Sequence, residues 1–201
     1  MNADLFPKTR EPEILFPAAK TSCRQITSVD EYRSDDIRAG DRVLDIGANV
    51  GAFCIRAAKT VARVTAVEPV TVPLLCGNIR INKVAVRLVA GGRGEGKLRE
   101  ICCDGCRVVC PTYTLRDLSS PAGGCDYLKC DCEGTEWLIS PPGAAPVRWI
   151  GMEIHIPPVT GPLNRALPGY IGHWYDFAIE WKPCHEVYGV MGILHAKRKY
   201  L

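Results

Sequence analysis

Two acidic residues flank a glycine turn whose spacing is typical of a nucleoside site. Asp45 stands just before Gly47-Ala-Asn49-Val-Gly51, and Glu68 follows about twenty residues after the glycines. Glycine allows a tight bend directly after a strand and lets the backbone approach a ligand closely. A carboxylate at the place of Glu68 can accept hydrogen bonds from both hydroxyls of a ribose. The pattern therefore predicts a binding crevice for an adenosine-containing ligand.

The acid in front of the turn bears on which ligand the crevice takes. A dinucleotide site uses Gly-x-Gly-x-x-Gly, which holds a pyrophosphate at a helix N-terminus. Asp45 would repel a pyrophosphate but suits a ligand that carries an ammonium and a sulfonium. We therefore expect S-adenosylmethionine (SAM) rather than NAD. A tight strand-to-helix turn without a ligand is the structural alternative.

A second acidic group follows a later apolar segment, in Lys129-Cys-Asp131-Cys-Glu133-Gly-Thr-Glu136. Alternation along a strand points Lys129 and Asp131 to the same side. Carboxylates at the end of a central strand face the ligand crevice. Methyl transfer depends mainly on alignment, and a carboxylate can also take a proton from a hydroxyl acceptor. Asp131 is the first catalytic candidate and Glu133 the second. Lys129 is expected to neutralise their charge. The alternative for Asp131 is that its side chain caps the following helix.

His155 lies at the end of the next predicted strand. We expect it at the same edge of the sheet as Asp131, the edge formed by the carboxyl ends of the strands, which we call the rim. A histidine titrates near neutrality and can act as a base. A structural role for this side chain is the competing interpretation.

Cysteines supply the remaining candidate chemistry. Cys103-Asp-Gly-Cys106 has the spacing of a zinc knuckle, but a structural zinc needs a second close pair. Because that pair is not evident, reduced thiols are preferred and no metal is predicted.

The elements that must position these residues alternate in type. Short apolar strands and helical segments give a βαβ unit, which implies parallel strands with right-handed crossovers; they are predicted at Arg42–Ile46, Ala52–Thr60, Arg63–Val67, Val72–Asn82 and Ala85–Val89. Further strands are predicted at Asp126–Cys130, Arg148–Ile154, Tyr175–Trp181 and Glu186–His195, with a hairpin around Asp104-Gly105 in Lys97–Cys110.

This order predicts an α/β fold, and the glycine turn expected to bind SAM indicates that it is the Rossmann-like fold of a class I methyltransferase. It has a mostly parallel seven-stranded sheet, helices on both faces and an antiparallel C-terminal hairpin. We expect residues 1–40 to be an N-terminal extension with a short helix around Ser28–Ile37, and residues 41–201 to form the SAM-binding domain.

Composition indicates a globular chain without a membrane segment. The 201 residues include 23% charged residues and carry a net charge of +3, which neither requires nor excludes nucleic acid. No stretch is apolar for the roughly 20 residues that a transmembrane helix needs. The charged N-terminus does not resemble a signal peptide, so a cytoplasmic location is expected. The sequence does not reveal the oligomeric state.

Five segments together resemble the FkbM-type SAM-dependent methyltransferases. They are VLDIGANVGAF from Val43, VEP ending at Pro69, NIRIN at Asn78–Asn82, TLRDL at Thr114–Leu118 and DYLKCDCEGTEW at Asp126–Trp137. The resemblance implies that Asp45, Gly47, Asn49 and Gly51 surround the methionine part of SAM and that Glu68 holds the ribose. It places Ala90 and Gly91 near the adenine, where backbone groups or Glu95 would bind the adenine amine.

The same resemblance implies methylation of a hydroxyl oxygen on a sugar or another small molecule. Two alternatives stay open: an RNA or protein methyltransferase, for which scattered basic residues could hold a polyanion, and a non-catalytic SAM-binding module. The presence of both Asp45 and Glu68 argues against the last.

Overall fold

The protein is built around a seven-stranded sheet. The computed structural model describes residues 31–60, 62–103, 106–132, 135–138, 147–158, 163–184 and 188–200. The sheet consists of β1 (Arg42–Ile46), β2 (Arg63–Glu68), β3 (Val86–Ala90), β7 (Tyr127–Cys130), β8 (Trp149–Ile156), β9 (Tyr175–Cys184) and β10 (Gly189–Arg198).

The strand order is β3-β2-β1-β7-β8-β10-β9, as the predicted fold class requires. The first five of these strands run parallel, and β10 pairs antiparallel with both β8 and β9. The chain order reverses between β1 and β7. Ligands of open α/β sheets bind at such a point, beyond the carboxyl ends of the strands.

Four helices of the described residues cover the sheet: α1 (Ala52–Lys59), α2 (Val72–Ile81), α3 (Leu115–Ser119) and α4 (Ala166–Trp174). Helix α1 starts directly after Gly51 and buries its apolar face, including Phe53 and Ile55. Helix α3 begins with a capping box, in which Thr114 and Asp117 satisfy each other's free backbone amides.

The central strands bury both faces, so their sequences read as continuous apolar runs. Leu44, Leu128 and Met152 belong to one core cluster. Val43 and Tyr127, on the other face, pack with Phe53, Tyr32 and Ile37. The last two precede the predicted domain start at residue 41, yet they pack into this core.

A second, three-stranded sheet lies beside the main one. Its strands are β4 (Gly92–Arg93), β5 (Leu98–Cys103) and β6 (Cys106–Tyr113), in the order β4-β6-β5. Strands β5 and β6 pair antiparallel, which confirms the predicted hairpin. Asp104 and Gly105, at its predicted turn, lie outside the described residues.

One local prediction needs correction, and one helix was not predicted. The described part of Ser28–Ile37 contains a single 3-10 turn at Ser34–Asp36 rather than an α-helix. Helix α4 was not predicted, because its Pro168, Gly169 and Gly172 are weak helix formers. None of the described helices combines the length and hydrophobicity that crossing a membrane requires.

Candidate active site

The glycine turn after β1 is pressed against the end of β7. Gly47 has a φ of +75°, and a Cβ atom there would come within 1.6 Å of the Asp131 carbonyl oxygen. Gly51 has a φ of +98°, and its Cβ would lie 2.6 Å from Leu75 Cδ1. Both positions therefore need glycine, for conformation and for space.

Glu68 holds this turn through the backbone. Its Oε2 accepts a hydrogen bond from the Asn49 amide at 2.8 Å, and Oε1 accepts from the amides of Val70 and Thr71 at 2.7 and 2.9 Å. Asn49 itself has a left-handed φ of +49°. Oε2 has room for a further donor because each carboxylate oxygen has two acceptor sites.

A buried ion pair lies beneath the turn. Asp45 is completely buried, and its Oδ1 lies 3.2 Å from Lys129 Nζ. Lys129 Nζ also donates to the Gly47 carbonyl at 2.7 Å. Burial alone would lower the pKa of Lys129, but Asp45 and Asp131 raise it above its usual value. Burial raises the pKa of Asp45, and the positive charge of Lys129 reduces this shift without cancelling it.

Asp131 is the partly exposed carboxylate of this group. Its Oδ2 lies 3.4 Å from Lys129 Nζ and accepts a hydrogen bond from the Tyr32 hydroxyl at 3.0 Å. The Tyr32 ring packs 5.3 Å from Lys129 Nζ. Burial, together with the charges of Asp131 and Glu153, raises the pKa of Tyr32 well above its usual value, so this phenol keeps its proton.

His155 lies between two carboxylates at the end of β8. Its Nδ1 is 3.5 Å from Glu136 Oε1, and its Nε2 is 3.4 Å from Glu153 Oε1. The His155 side chain is 3% exposed and that of Glu136 is 1% exposed. The Trp137 indole donates to the His155 carbonyl at 3.0 Å, which fixes the segment after β7 against β8.

The residues expected near the adenine lie beside Glu68. Ala90 is its register partner on β3, and the Gly91 amide donates to the Glu68 carbonyl at 3.1 Å. Ala90 is exposed and Gly91 is buried. Nearby, the buried Thr71 hydroxyl has no hydrogen-bond partner among the described residues.

For three residues singled out from the sequence, the structure describes only part or nothing. Glu133 lies outside the described residues. Cys103 and Cys106 face each other in the β5–β6 register, but their side chains are not among those described. No group of three or more potential metal ligands occurs among the residues that the structure describes.

Sequence reasoning missed Tyr32 and did not predict the burial of Glu136. Tyr32 lies 99 positions before Asp131 and belongs to no motif. Glu136 has the position of an ordinary first-turn helix acid but is buried against His155.

The assembled rim is acidic. Among the described side chains, its carboxylates outnumber its cationic groups: Asp45, Glu68, Asp131, Glu136 and Glu153 against Lys129 and Arg93. In addition, Asp45 Oδ2 is buried and accepts no hydrogen bond from the described residues. A donor or cation from a ligand would satisfy such a group.

Comparisons with solved structures support the fold. The chain is similar to precorrin-6Y C5,15-methyltransferase from Geobacter metallireducens, with 16% identity, 90% of each chain covered and a TM-score of 0.55. The C-terminal domain of the Rhodobacter capsulatus enzyme of that name is 14% identical, with coverages of 90% and 91% and a TM-score of 0.51. A Streptococcus agalactiae protein of the NADB-Rossmann superfamily is 12% identical, with coverages of 92% and 70% and a TM-score of 0.50.

At these identities the similarity establishes the Rossmann-like architecture and nothing finer. No family model and no curated protein matches the sequence. The FkbM-type resemblance therefore stays a prediction.

Proposed function

We propose that this protein is a SAM-dependent methyltransferase that methylates a hydroxyl group of a small molecule. The observation that carries the proposal is the buried carboxylate of Asp45 directly beneath the glycine turn, with Oδ2 left without a hydrogen bond from the described residues. The turn approaches β7 too closely for any side chain at Gly47. A cationic ligand lying over this turn would be attracted by the charge of Asp45 beneath it and by the partly exposed carboxylate of Asp131.

The residues present fit SAM better than a dinucleotide. Glu68 Oε2 keeps one acceptor position for a ribose hydroxyl, and the Thr71 hydroxyl, which has no hydrogen-bond partner among the described residues, is three residues beyond the end of β2. The excess of carboxylates along the rim favours an ammonium and a sulfonium and opposes a pyrophosphate. Two of the similar solved structures bear the name of a methyltransferase, which agrees with this choice.

SAM would supply an electrophilic methyl group, and the chain's own residues would align and deprotonate the acceptor. Tyr32 and Lys129 both contact Asp131 Oδ2, and Oδ1 receives no hydrogen bond from the described residues. Oδ1 is thus available to accept the proton of an acceptor hydroxyl. Because Tyr32 keeps its proton, it donates to Asp131 Oδ2 and orients the carboxylate.

The other candidates have supporting roles in this proposal. Lys129 is protonated and enclosed by Asp45, Asp131 and the Gly47 carbonyl, so it orients the carboxylates rather than removing a proton. His155, buried between Glu136 and Glu153, orients the rim at the end of β8. The FkbM-type resemblance supports a hydroxyl on a sugar or similar metabolite as the acceptor, and it adds Glu133 as a second acid.

Calorimetric titration with SAM and with NAD tests the cofactor assignment. We expect SAM to bind and Glu68→Ala to weaken its affinity at least tenfold. Glu180→Ala is the matched control, because Glu180 is an exposed carboxylate on β9, the edge strand of the main sheet. Tight binding of NAD without binding of SAM would refute the assignment.

A screen with methyl-labelled SAM tests the acceptor class. The panel should contain sugars, hydroxylated metabolites, a peptide library and total RNA. Label transfer to a hydroxyl of a small molecule is the expected result. Transfer to RNA or protein alone would leave the cofactor assignment standing and overturn the acceptor class.

A further inference from the structure

Two thiols flank Asp131 along the chain. Cys130 Sγ and Cys132 Sγ lie 3.3 Å apart. Cys130 is completely buried in the core cluster around Leu44 and Leu128, while Cys132 is partly exposed. Because side chains alternate along a strand, the two sulfur atoms share one side of the segment and Asp131 lies on the other.

Polar groups surround Cys132, the more exposed of the two thiols. The Thr135 hydroxyl donates to Cys132 Sγ at 2.7 Å. The buried Arg93 donates to the Thr135 carbonyl at 3.3 Å, and its positive charge interacts electrostatically with both cysteines. A nearby cation and a hydrogen-bond donor stabilise a thiolate.

Cys130 is suited to the second step of a thiol reaction. Its hydrogen bond to Cys132 and its burial raise its pKa well above the usual value, so peroxide meets Cys132 first, and Cys130 Sγ, 3.3 Å away, is placed to attack the oxidised sulfur. An exposed attacking thiol next to a buried resolving thiol is the arrangement of redox-sensitive cysteine pairs.

We propose that Cys130 and Cys132 are a redox modification site, which a peroxide converts into a reversible disulfide. The Cys132 thiolate attacks one peroxide oxygen, the O–O bond breaks, and the leaving oxygen departs as water after protonation. The resulting sulfenic acid is attacked by Cys130, which gives up its thiol proton, and the sulfenic oxygen leaves as a second water. Two thiols are oxidised to one disulfide while one peroxide is reduced to two waters.

The disulfide would act on the ligand crevice through Asp131. Closing the bond brings the sulfur atoms from 3.3 Å to about 2.05 Å and tightens the segment that holds Asp131. The Asp131 amide donates to the Ile46 carbonyl at 3.0 Å, and its carbonyl leaves no space for a side chain at Gly47. Oxidation therefore disturbs the glycine turn and the Tyr32–Asp131 contact together. This consequence, unlike the thiol chemistry, rests on the proposed function.

Peptide mapping tests the chemistry without reference to any activity. Trypsin cleaves after Lys129 and Arg148, so residues 130–148 form one peptide that contains these two cysteines and no others. After mild treatment of the native protein with hydrogen peroxide, we expect this peptide to lose two hydrogen atoms and to resist alkylation. Dithiothreitol should restore both thiols.

Two variants sharpen this measurement. Cys132→Ser should abolish the loss of mass, whereas Cys76→Ser, which removes an exposed thiol on α2, should leave it unchanged. Two thiols that stay open to alkylation, or a Cys132 that passes to sulfinic acid without coupling to Cys130, would overturn the proposal.

Calorimetry on the oxidised protein tests the effect on the crevice. We expect SAM affinity to fall at least fivefold on oxidation, to recover with dithiothreitol, and to become insensitive to peroxide in Cys132→Ser. A disulfide that forms while SAM affinity stays the same would reject the link to the crevice. Failure of the reduced protein to bind SAM would instead count against the proposed function, and the disulfide mapping would still stand.

Discussion

Lys129 joins three parts of the chain at one ammonium group. Its Nζ contacts the Gly47 carbonyl, Asp45 Oδ1 and Asp131 Oδ2 within 2.7–3.4 Å. An ammonium removed from water is retained only where such partners compensate its desolvation. The side chain therefore fixes the position of the glycine turn relative to the end of β7.

Removing this ammonium should destabilise the protein strongly. We expect Lys129→Met to lower the free energy of unfolding by about 3–5 kcal/mol, because it leaves Asp45 buried without a counter-charge. The double variant Lys129→Met/Asp45→Asn should recover part of the loss. Urea denaturation measures both, and a single variant as stable as the wild type would contradict the assignment.

The cost of Lys129→Met should depend on pH. Burial raises the pKa of Asp45 in the folded protein, and removing Lys129 removes the group that opposes this shift. A carboxyl with a raised folded pKa contributes most to stability when protonated, and the contribution is lost as pH rises through that pKa. The difference from the wild type should therefore shrink towards pH 4 and grow towards pH 8. A difference that does not change with pH would argue against a charged, uncompensated Asp45.

Asp131 should matter for turnover more than for SAM affinity. Asp131→Asn keeps the shape of the side chain but removes its ability to take a proton, so we expect the methyl transfer rate to fall by about 10²–10⁴. SAM affinity, measured by calorimetry, should stay within about threefold. Asp176→Asn, at an exposed carboxylate on β9, is the control and should change neither. Full activity of Asp131→Asn would exclude Asp131 as the base.

The strands that carry these side chains were predictable from local sequence. Runs such as Arg42–Ile46 and Asp126–Cys130 are apolar over a strand's length and end at glycine or acidic residues, so both the strands and the position of the rim follow from them. The pairing of Lys129 with Asp131 also followed from alternation. The sequence predicted a ribose contact for Glu68 but not that its carboxylate accepts hydrogen bonds from the backbone amides of Asn49, Val70 and Thr71.

Contacts between distant segments were not predictable. The hydroxyl of Tyr32 reaches Asp131 across the fold, and no local period marks an isolated tyrosine as part of a site. Helix α4 was not predictable because its proline and glycines have weak helical propensity. In the structure, the burial of Leu167 and Ile171 overrides that propensity.

The two turns at Gly40 and Gly47 offer a matched test of the close approach to β7. Both glycines have left-handed φ values, +85° and +75°, but a Cβ at Gly40 meets no atom within 4 Å. Gly40→Ala should cost about 1 kcal/mol of stability through backbone strain alone. Gly47→Ala should cost clearly more and abolish SAM binding, because its Cβ would collide with the Asp131 carbonyl. Equal effects in thermal unfolding would show that this contact is unimportant.

At the scale of the whole molecule, an ion pair between Arg42 and Asp126 links the start of β1 to the start of β7. It lies at the end of these strands opposite the rim. Arg42 Nε and Nη2 donate to Asp126 Oδ2 and Oδ1 at 2.7 and 2.8 Å, and the Arg42 amide donates to Oδ2 at 2.9 Å. These hydrogen bonds lower the pKa of Asp126. They secure the two neighbouring strands whose opposite ends form the rim.

The stability contributed by this pair should disappear in acid. A carboxyl with a lowered folded pKa stabilises the protein above its unfolded pKa, and the effect is lost as pH falls through the folded value. We expect Asp126→Asn to lower the free energy of unfolding by about 1 kcal/mol at pH 7, or about 2–4 °C in Tm. Wild type and variant should converge near pH 2–3. A gap that persists there would assign the effect to something other than ionisation.

The position of β10 has a consequence for how the chain reaches this structure. Although β10 follows every other strand in chain order, it lies inside the sheet, between β8 and β9. Until Gly189–Arg198 docks, β8 ends the parallel half with an unpaired edge, and such edges invite pairing with other chains. The neighbouring β9 can form its hairpin with β10 early because the contact is local. Folding should thus end with a preformed hairpin closing an exposed edge, and amides of β8 should gain protection from hydrogen exchange later than those of β9.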